Sequence, residues 1–248
     1  FEVIMNSFKK ISRYIGAKNL EEITFTPSET EVNNLAIMGS AFAQKSRGKK
    51  IVISEIEPIN VLQVAEMMQK YGFTTQKIPV NNEGFINLEK LKEAIDNETI
   101  LVSISTVNNE LGTIQPIKEA VDIVKAKNPK TLFHTDASDA FGRITLNVQK
   151  LNVDLATLSS YKIQGPRGIG AMYLKEGVNM ERILEGQIGT QKLWPGIENT
   201  PLIVGFTKAS ELAFENFEAN TTKMRTLRDK LVDGMFNELG DLRFNGPK

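Results

Sequence analysis

Residues 155–174 read LATLSSYKIQGPRGIGAMYL, two apolar runs separated by one lysine and a glycine-rich turn. The runs 155–161 and 168–174 have the length and composition of strands. The turn GPRGIG lacks both the GxGxxG dinucleotide fingerprint and the Lys-Ser/Thr of a phosphate loop, so its glycines predict a tight hairpin. Turn geometry leaves Lys162 unexplained. A lysine where a buried strand ends either snorkels to water or holds a partner. Against an apolar sheet end its amine can have a lowered pKa and attack a carbonyl carbon.

Five more β-rich runs precede this pair: EITFTPS (22–28), KKIVISEIE (49–57), TTQKIPV (74–80), TILVSISTV (99–107) and TLFHTDAS (131–138). Amphipathic patterns lie between them, as in EVNNLAIMGSAFAQK (31–45), where Leu35, Met38 and Phe42 recur at helical spacing. In GFINLEKLKEAI, Asn87 is placed to cap a helix with Leu88, Leu91 and Ile95 on its apolar stripe. Alternating strands and helices predict an α/β fold, a mostly parallel seven-stranded sheet with helices on both faces. After Pro201 the pattern is helical. The expected division is a large domain over 1–205 and, over 206–248, helices leading toward a further, smaller domain.

Thirty basic residues balance thirty acidic ones among 248, so bulk charge points to neither nucleic acid nor an anionic membrane as partner. Hydrophobic residues at 41% against 24% charged describe an ordinary globular chain. The absence of cysteine excludes disulfides, thiolate metal sites and a cysteine nucleophile within these residues. No apolar run approaches the roughly 20 residues of a bilayer span, and the first residues lack a signal-peptide core. The expected location is therefore cytoplasmic.

Ligands of open parallel sheets bind beyond the carboxyl ends of the strands. TPSETEVNN (26–34) offers Ser28 and Thr30 at a helix start suited to an anion, and equally a plain N-cap. TVNNELGTIQP (106–116) places Asn108, Asn109 and Glu110 after an apolar strand, either as a turn or as an amide donor to a ligand. In FHTDASDAFG (133–142), Asp136 closes a buried run, where a carboxylate is costly unless it meets a cation or a strong donor. His134 shares a strand face with Asp136 and reads as a core residue; as the only histidine it cannot complete a typical metal set. GQIGTQKLWPGIENTP (186–201) is irregular, and long loops in compact domains are often functional.

Each signal alone is weak, and their order is informative. Hydroxyls at a helix start, an amide, an aspartate and a lysine follow one another at strand ends. Pyridoxal phosphate requires those partners: an anion cradle, a donor to the ring oxygen, a carboxylate for the pyridine nitrogen and a lysine for the aldehyde.

FTPSETEVNNLAIMG, STVNNELGTIQPI, FHTDASDAFGRI, LSSYKIQGPRGIGAMYL and ENTPLIVGF together resemble the class V, fold-type I pyridoxal-phosphate enzymes, in the cysteine desulfurase (NifS/IscS-like) branch. The resemblance implies a transferase that converts L-cysteine or a similar amino acid to alanine and passes the sulfur on, as in iron–sulfur cluster assembly. It implies that Lys162 bonds the cofactor and shuttles the α-proton, that Asp136 pairs with the pyridine nitrogen, and that Asn109 contacts the ring oxygen. Thr30 and Ser159 would bind phosphate, with Tyr161 where the family has a histidine. Thr200 would reach the phosphate held by a partner subunit, which implies a homodimer. A sulfur-acceptor protein is a further implied partner.

Besides Tyr161, three positions depart from the pattern. Pro58 stands where a histidine stacks on the ring, Asp139 where a glutamine follows the aspartate, and Glu29 in the phosphate turn. The persulfide-forming cysteine would lie beyond Lys248, and the family's N-terminal YLDNNATT segment is not in this sequence. Two alternatives therefore stand beside the desulfurase: an aminotransferase or lyase of the same class, and a non-catalytic scaffold with weakened cofactor binding.

Overall fold

The computed structural model describes residues 1–247. Its strands are β1 Ile23–Thr26, β2 Lys50–Ser54, β3 Thr74–Ile78, β4 Thr99–Ser103, β5 Leu132–Asp136, β6 Leu155–Ser159 and β7 Gly170–Leu174, so each of the seven expected runs contains one. They form one sheet in the order β1-β7-β6-β5-β4-β2-β3. Only β7 is antiparallel to its neighbours. Residues 160–169 connect β6 to β7, too short a link for the crossover that a parallel pair needs. Gly168 turns this hairpin at φ +86°, a backbone angle that side chains other than glycine's rarely tolerate.

The helices are α1 Glu2–Tyr14, α2 Glu29–Asn34, α3 Ser40–Gln44, α4 Ile59–Met67, α5 Leu88–Ala94, α6 Ile117–Lys127, α7 Val148–Leu151, α8 Thr200–Glu215 and α9 Phe217–Glu238. Asn87 caps α5 as expected, its side chain accepting from Lys90 N–H at 3.0 Å. A π turn over Leu35–Gly39 joins α2 to α3. Gly39 O accepts from Glu181 N–H at 3.1 Å, and a Cβ at Gly39 would stand 2.5 Å from Glu181 O. Helix α1 was not among the expected elements, although Ile4, Phe8 and Ile11 recur at helical spacing and are buried.

Strand periodicity distributes the core to the two faces of the sheet. Ile51, Ile53, Leu132, Leu155 and Met172 pack on the side of α2, α3 and α4. Val52, Val102, Phe133, Ala156 and Tyr173 pack on the other, with α1, α6 and α8. Between β2 and β4 the register slips: Lys50 faces Thr99 and Ile51 faces Leu101, so Ile100 is an extra residue. Ile100 and Leu101 consequently pack in the same cluster. Among the described residues no helix is long and apolar enough to cross a membrane.

Candidate active site

The register brings Thr26, Gly170 and Ser159 side by side at the carboxyl edge of β1 and β6, with Asp136 closing β5 beside Thr157. Gly170 makes this edge compact. A Cβ there would lie 3.0 Å from Glu29 N and 3.1 Å from Leu158 O, so the start of α2 seats directly on the sheet. Gly165 serves a similar purpose, since its Cβ would meet Ser160 Oγ at 2.3 Å.

Lys162 lies in a short 3-10 turn, Tyr161–Ile163, immediately after β6. Its side chain is 19% exposed, and Nζ donates to Asp139 Oδ2 at 2.9 Å. Arg143 Nη1 donates to the other oxygen, Asp139 Oδ1, at 2.9 Å, and Arg143 Nη2 donates to Lys162 O. The Tyr161 ring stands 5.5 Å from Nζ. Burial pulls the Lys162 amine down, but the bond to Asp139 and the charges of Asp139 and Glu29 push harder the other way, and the net shift is upward. This corrects the expectation of a lowered lysine: the side chain meets a carboxylate rather than an apolar wall.

Asp136 is buried, and Oδ1 accepts from Ser138 N–H and Oδ2 from Asn33 Nδ2, at 2.9 and 2.8 Å. Burial and the negative charge of Glu29 raise its carboxyl to about 6, against the pull of those bonds. Glu29 therefore faces the site. Its Oε1 accepts from Asn60 Nδ2 at 3.0 Å, while Oε2 is buried with no hydrogen-bond partner among the described residues. Ser159 Oγ and Ser160 Oγ are also buried without partners.

The other expected residues vary in position. Thr30 is exposed at the first turn of α2, and Ser28 is the N-cap, accepting from Glu31 N–H at 3.4 Å. Asn109 is exposed, whereas Asn108 organises the turn, its Oδ1 accepting from Glu110 and Leu111 N–H and its Nδ2 donating to Ile56 O. Thr200 opens α8, and Pro58 precedes α4. The 186–201 segment contains neither helix nor strand except for Thr200 and Pro201; Gln191 Nε2 donates to Phe25 O at 3.2 Å, and its Oε1 accepts from Phe25 N–H, covering the free edge of β1. Among the described residues no group of three or more His, Cys, Asp or Glu is arranged to hold a metal ion.

Reading along the sequence missed Arg143, Asn33, Thr157, Asn60 and Glu57. For Arg143 a signal existed, since it stands four positions after Asp139 on a turn of chain. Asn33 and Thr157 are 124 positions apart, and nothing local announces their contact.

The family described as Aminotransferase class-V matches residues 2–248. The chain belongs to this family. Class-V aminotransferases are pyridoxal-phosphate dependent. Among curated relatives, "Cysteine desulfurase IscS" of Clostridium botulinum (strain Hall) is 40% identical over 240 residues, 97% of this chain and 60% of the relative. "Cysteine desulfurase IscS" of Methanosarcina thermophila is 42% identical over 227 residues, 92% of this chain and 55% of the relative. A solved "NifS-like protein" superposes with a TM-score of 0.92 at 36% identity, covering 95% of this chain and 64% of that one. "SspA in complex with cysteine" gives 0.80 at 34%, covering 85% and 60%. The chain thus spans about 60% of the length of the curated relatives it matches.

Proposed function

We propose that this chain is the cofactor-holding part of a cysteine desulfurase-like enzyme. It would act on L-cysteine or a similar amino acid, release alanine, and pass sulfur to a cysteine outside this sequence. The observation that carries the reading is a buried carboxylate, Asp136, and a largely enclosed amine, Lys162, at one sheet edge. The hydroxyls of Ser159 and Ser160, buried without partners among the described residues, precede that amine. Unsatisfied hydroxyls suit the acceptor oxygens of a phosphate, and a carboxylate raised by burial gains from a cationic ring nitrogen. The residues therefore fit pyridoxal phosphate. When bound, that cofactor supplies an electron sink for the substrate's α-carbon.

The chain's own residues would do the rest. Lys162 would leave Asp139, bond the cofactor, and carry the α-proton once freed by substrate. Asp136 would keep the ring nitrogen protonated. Ser159, Thr30 and Tyr161 would hold the phosphate, Asn109 the ring oxygen, and Thr200 a phosphate across a homodimer interface. The names of the relatives, and the cysteine in one solved neighbour's title, support the substrate class.

A second reading is favoured by the Lys162–Asp139 ion pair and by the unpartnered oxygen of Glu29, which both oppose the cofactor's charges. Under it the protein is a partner subunit without catalysis. Adding pyridoxal phosphate to the full-length protein separates the two. The enzyme reading expects a yellow adduct that Lys162→Ala abolishes, and then alanine and sulfide from cysteine. A wild-type protein that stays colourless refutes it.

A further inference from the structure

Five buried side chains form one line of hydrogen bonds beneath the candidate site. Ser103 Oγ lies 2.8 Å from His134 Nδ1, and His134 Nε2 lies 2.9 Å from Thr157 Oγ1. Thr157 Oγ1 is 2.7 Å from Asn33 Oδ1, and Asn33 Nδ2 is 2.8 Å from Asp136 Oδ2. The line joins β4, β5, β6 and α2, so no single stretch of sequence contains it.

The chemistry of each group fixes the direction of the protons. An ionised Asp136 only accepts, so Asn33 turns its NH₂ toward the carboxylate and its carbonyl toward Thr157. Thr157 spends its one proton on that carbonyl, and its oxygen must therefore accept from His134 Nε2–H. A neutral imidazole carries a single N–H, which leaves Nδ1 to accept from the Ser103 hydroxyl. Burial holds His134 neutral by pulling its pKa down to about 3. A protonated Asp136 reverses every step. Its O–H donates to an Asn33 carbonyl turned the other way, the Asn33 amide donates to Thr157, Thr157 donates to Nε2, and His134 Nδ1–H donates to Ser103. The proton on Asp136 comes from solvent; on the imidazole Nε2 gives one proton up to solvent and Nδ1 takes one from it, while Asn33, Thr157 and Ser103 only turn, so the net gain is the single proton on Asp136.

We propose that Ser103, His134, Thr157, Asn33 and Asp136 act as a two-state wire in which the charge on Asp136 sets the tautomer of His134. In its ionised state the wire would fix the carboxylate for a cationic ring nitrogen, with Asn33, Thr157 and His134 as positioning residues; that use rests on the proposed function, whereas the wire itself does not. The ionisable groups coupled to Asp136 are Glu29, from α2, which acts on it, and Glu57, from the loop after β2, on which it acts. The charge of Glu29 opposes ionisation of Asp136, whereas Glu57 still holds its proton where Asp136 ionises and is itself raised by the Asp136 charge. Lys162 and Asp139, in the loops after β6 and β5, are joined to each other.

His134 is the only histidine in the chain, so its ¹⁵N resonances report the tautomer without ambiguity. In protein free of cofactor, Nε2–H is expected at pH 8. Acidification through the Asp136 transition should convert it to Nδ1–H with no imidazolium signal. Thr157→Val cuts the wire at its centre while keeping the shape of the side chain. At pH 8 this variant should already show Nδ1–H, because a buried N–H facing a methyl group costs more than a buried lone pair. Three results would each overturn the proposal: Nδ1–H in the wild type at pH 8, a tautomer unchanged by acid while circular dichroism stays native, or Nε2–H retained in Thr157→Val. A responsive histidine in a protein that never turns yellow rejects the functional reading alone.

Discussion

Glu57→Gln tests the electrostatics of the site without any cofactor. Glu57 is 5% exposed in the loop after β2, and its oxygens accept from Ser105 N–H at 3.0 and 2.9 Å, with the Ser105 hydroxyl on Oε2. Burial pushes the carboxyl up to about 8, Asp136 adds to the rise, and the Ser105 and Ser54 bonds only partly oppose it. A carboxyl raised in the folded state stabilises most at low pH, and this contribution is lost as pH rises through 8. Between pH 7 and 8 the folded chain still holds this proton and the unfolded chain has released it. The linkage slope approaches about 1.4 kcal/mol per pH unit at the start of that interval and about half that at its end. Wild-type unfolding free energy should therefore fall by about 1 kcal/mol from pH 7 to pH 8. In Glu57→Gln, whose amide does not titrate, the slope should nearly vanish. Urea denaturation followed by circular dichroism at three pH values measures both. A wild type equally stable at pH 7 and 8, or a variant with the wild-type slope, would refute the assignment of a proton to Glu57.

Three further outcomes are expected. Asp139→Asn removes the anion paired with Lys162, so reductive methylation of that amine, read by peptide mass spectrometry at pH 7.5, should be faster than in the wild type; an unchanged rate would show that the ion pair does not restrain it. Phe206→Ala opens a hole where the Phe206 ring stands 5.9 Å from that of Phe141 and 6.3 Å from that of Phe25, and should cost about 3–5 kcal/mol in urea denaturation, a loss under about 1 kcal/mol being inconsistent with this packing. Gly170→Ala places a methyl group against backbone on both sides, at 3.0 Å from Ser28 C and Glu29 N, and should destabilise by about 1–3 kcal/mol; a variant with wild-type stability would mean that α2 does not seat on the sheet.

Local chemistry accounts for the features that were legible in the residues. Strand runs, the Asn87 cap and the glycine turn after Lys162 arise from periodicity and backbone preference within a few positions, so each of the seven strands was found in its expected run. Asp136 and Lys162 were legible because a polar residue closing an apolar run is conspicuous. The strand order was not, because it depends on which of several similar apolar edges pair. The charge state of Lys162 could not be read either, since it depends on Asp139, 23 positions away, swinging onto the same amine. The same holds for Glu29, whose orientation toward Asp136 is set by Asn60 on another element. Patterning within one element is written into neighbouring residues, whereas the field at a buried group is the sum over side chains brought together from distant parts of the chain.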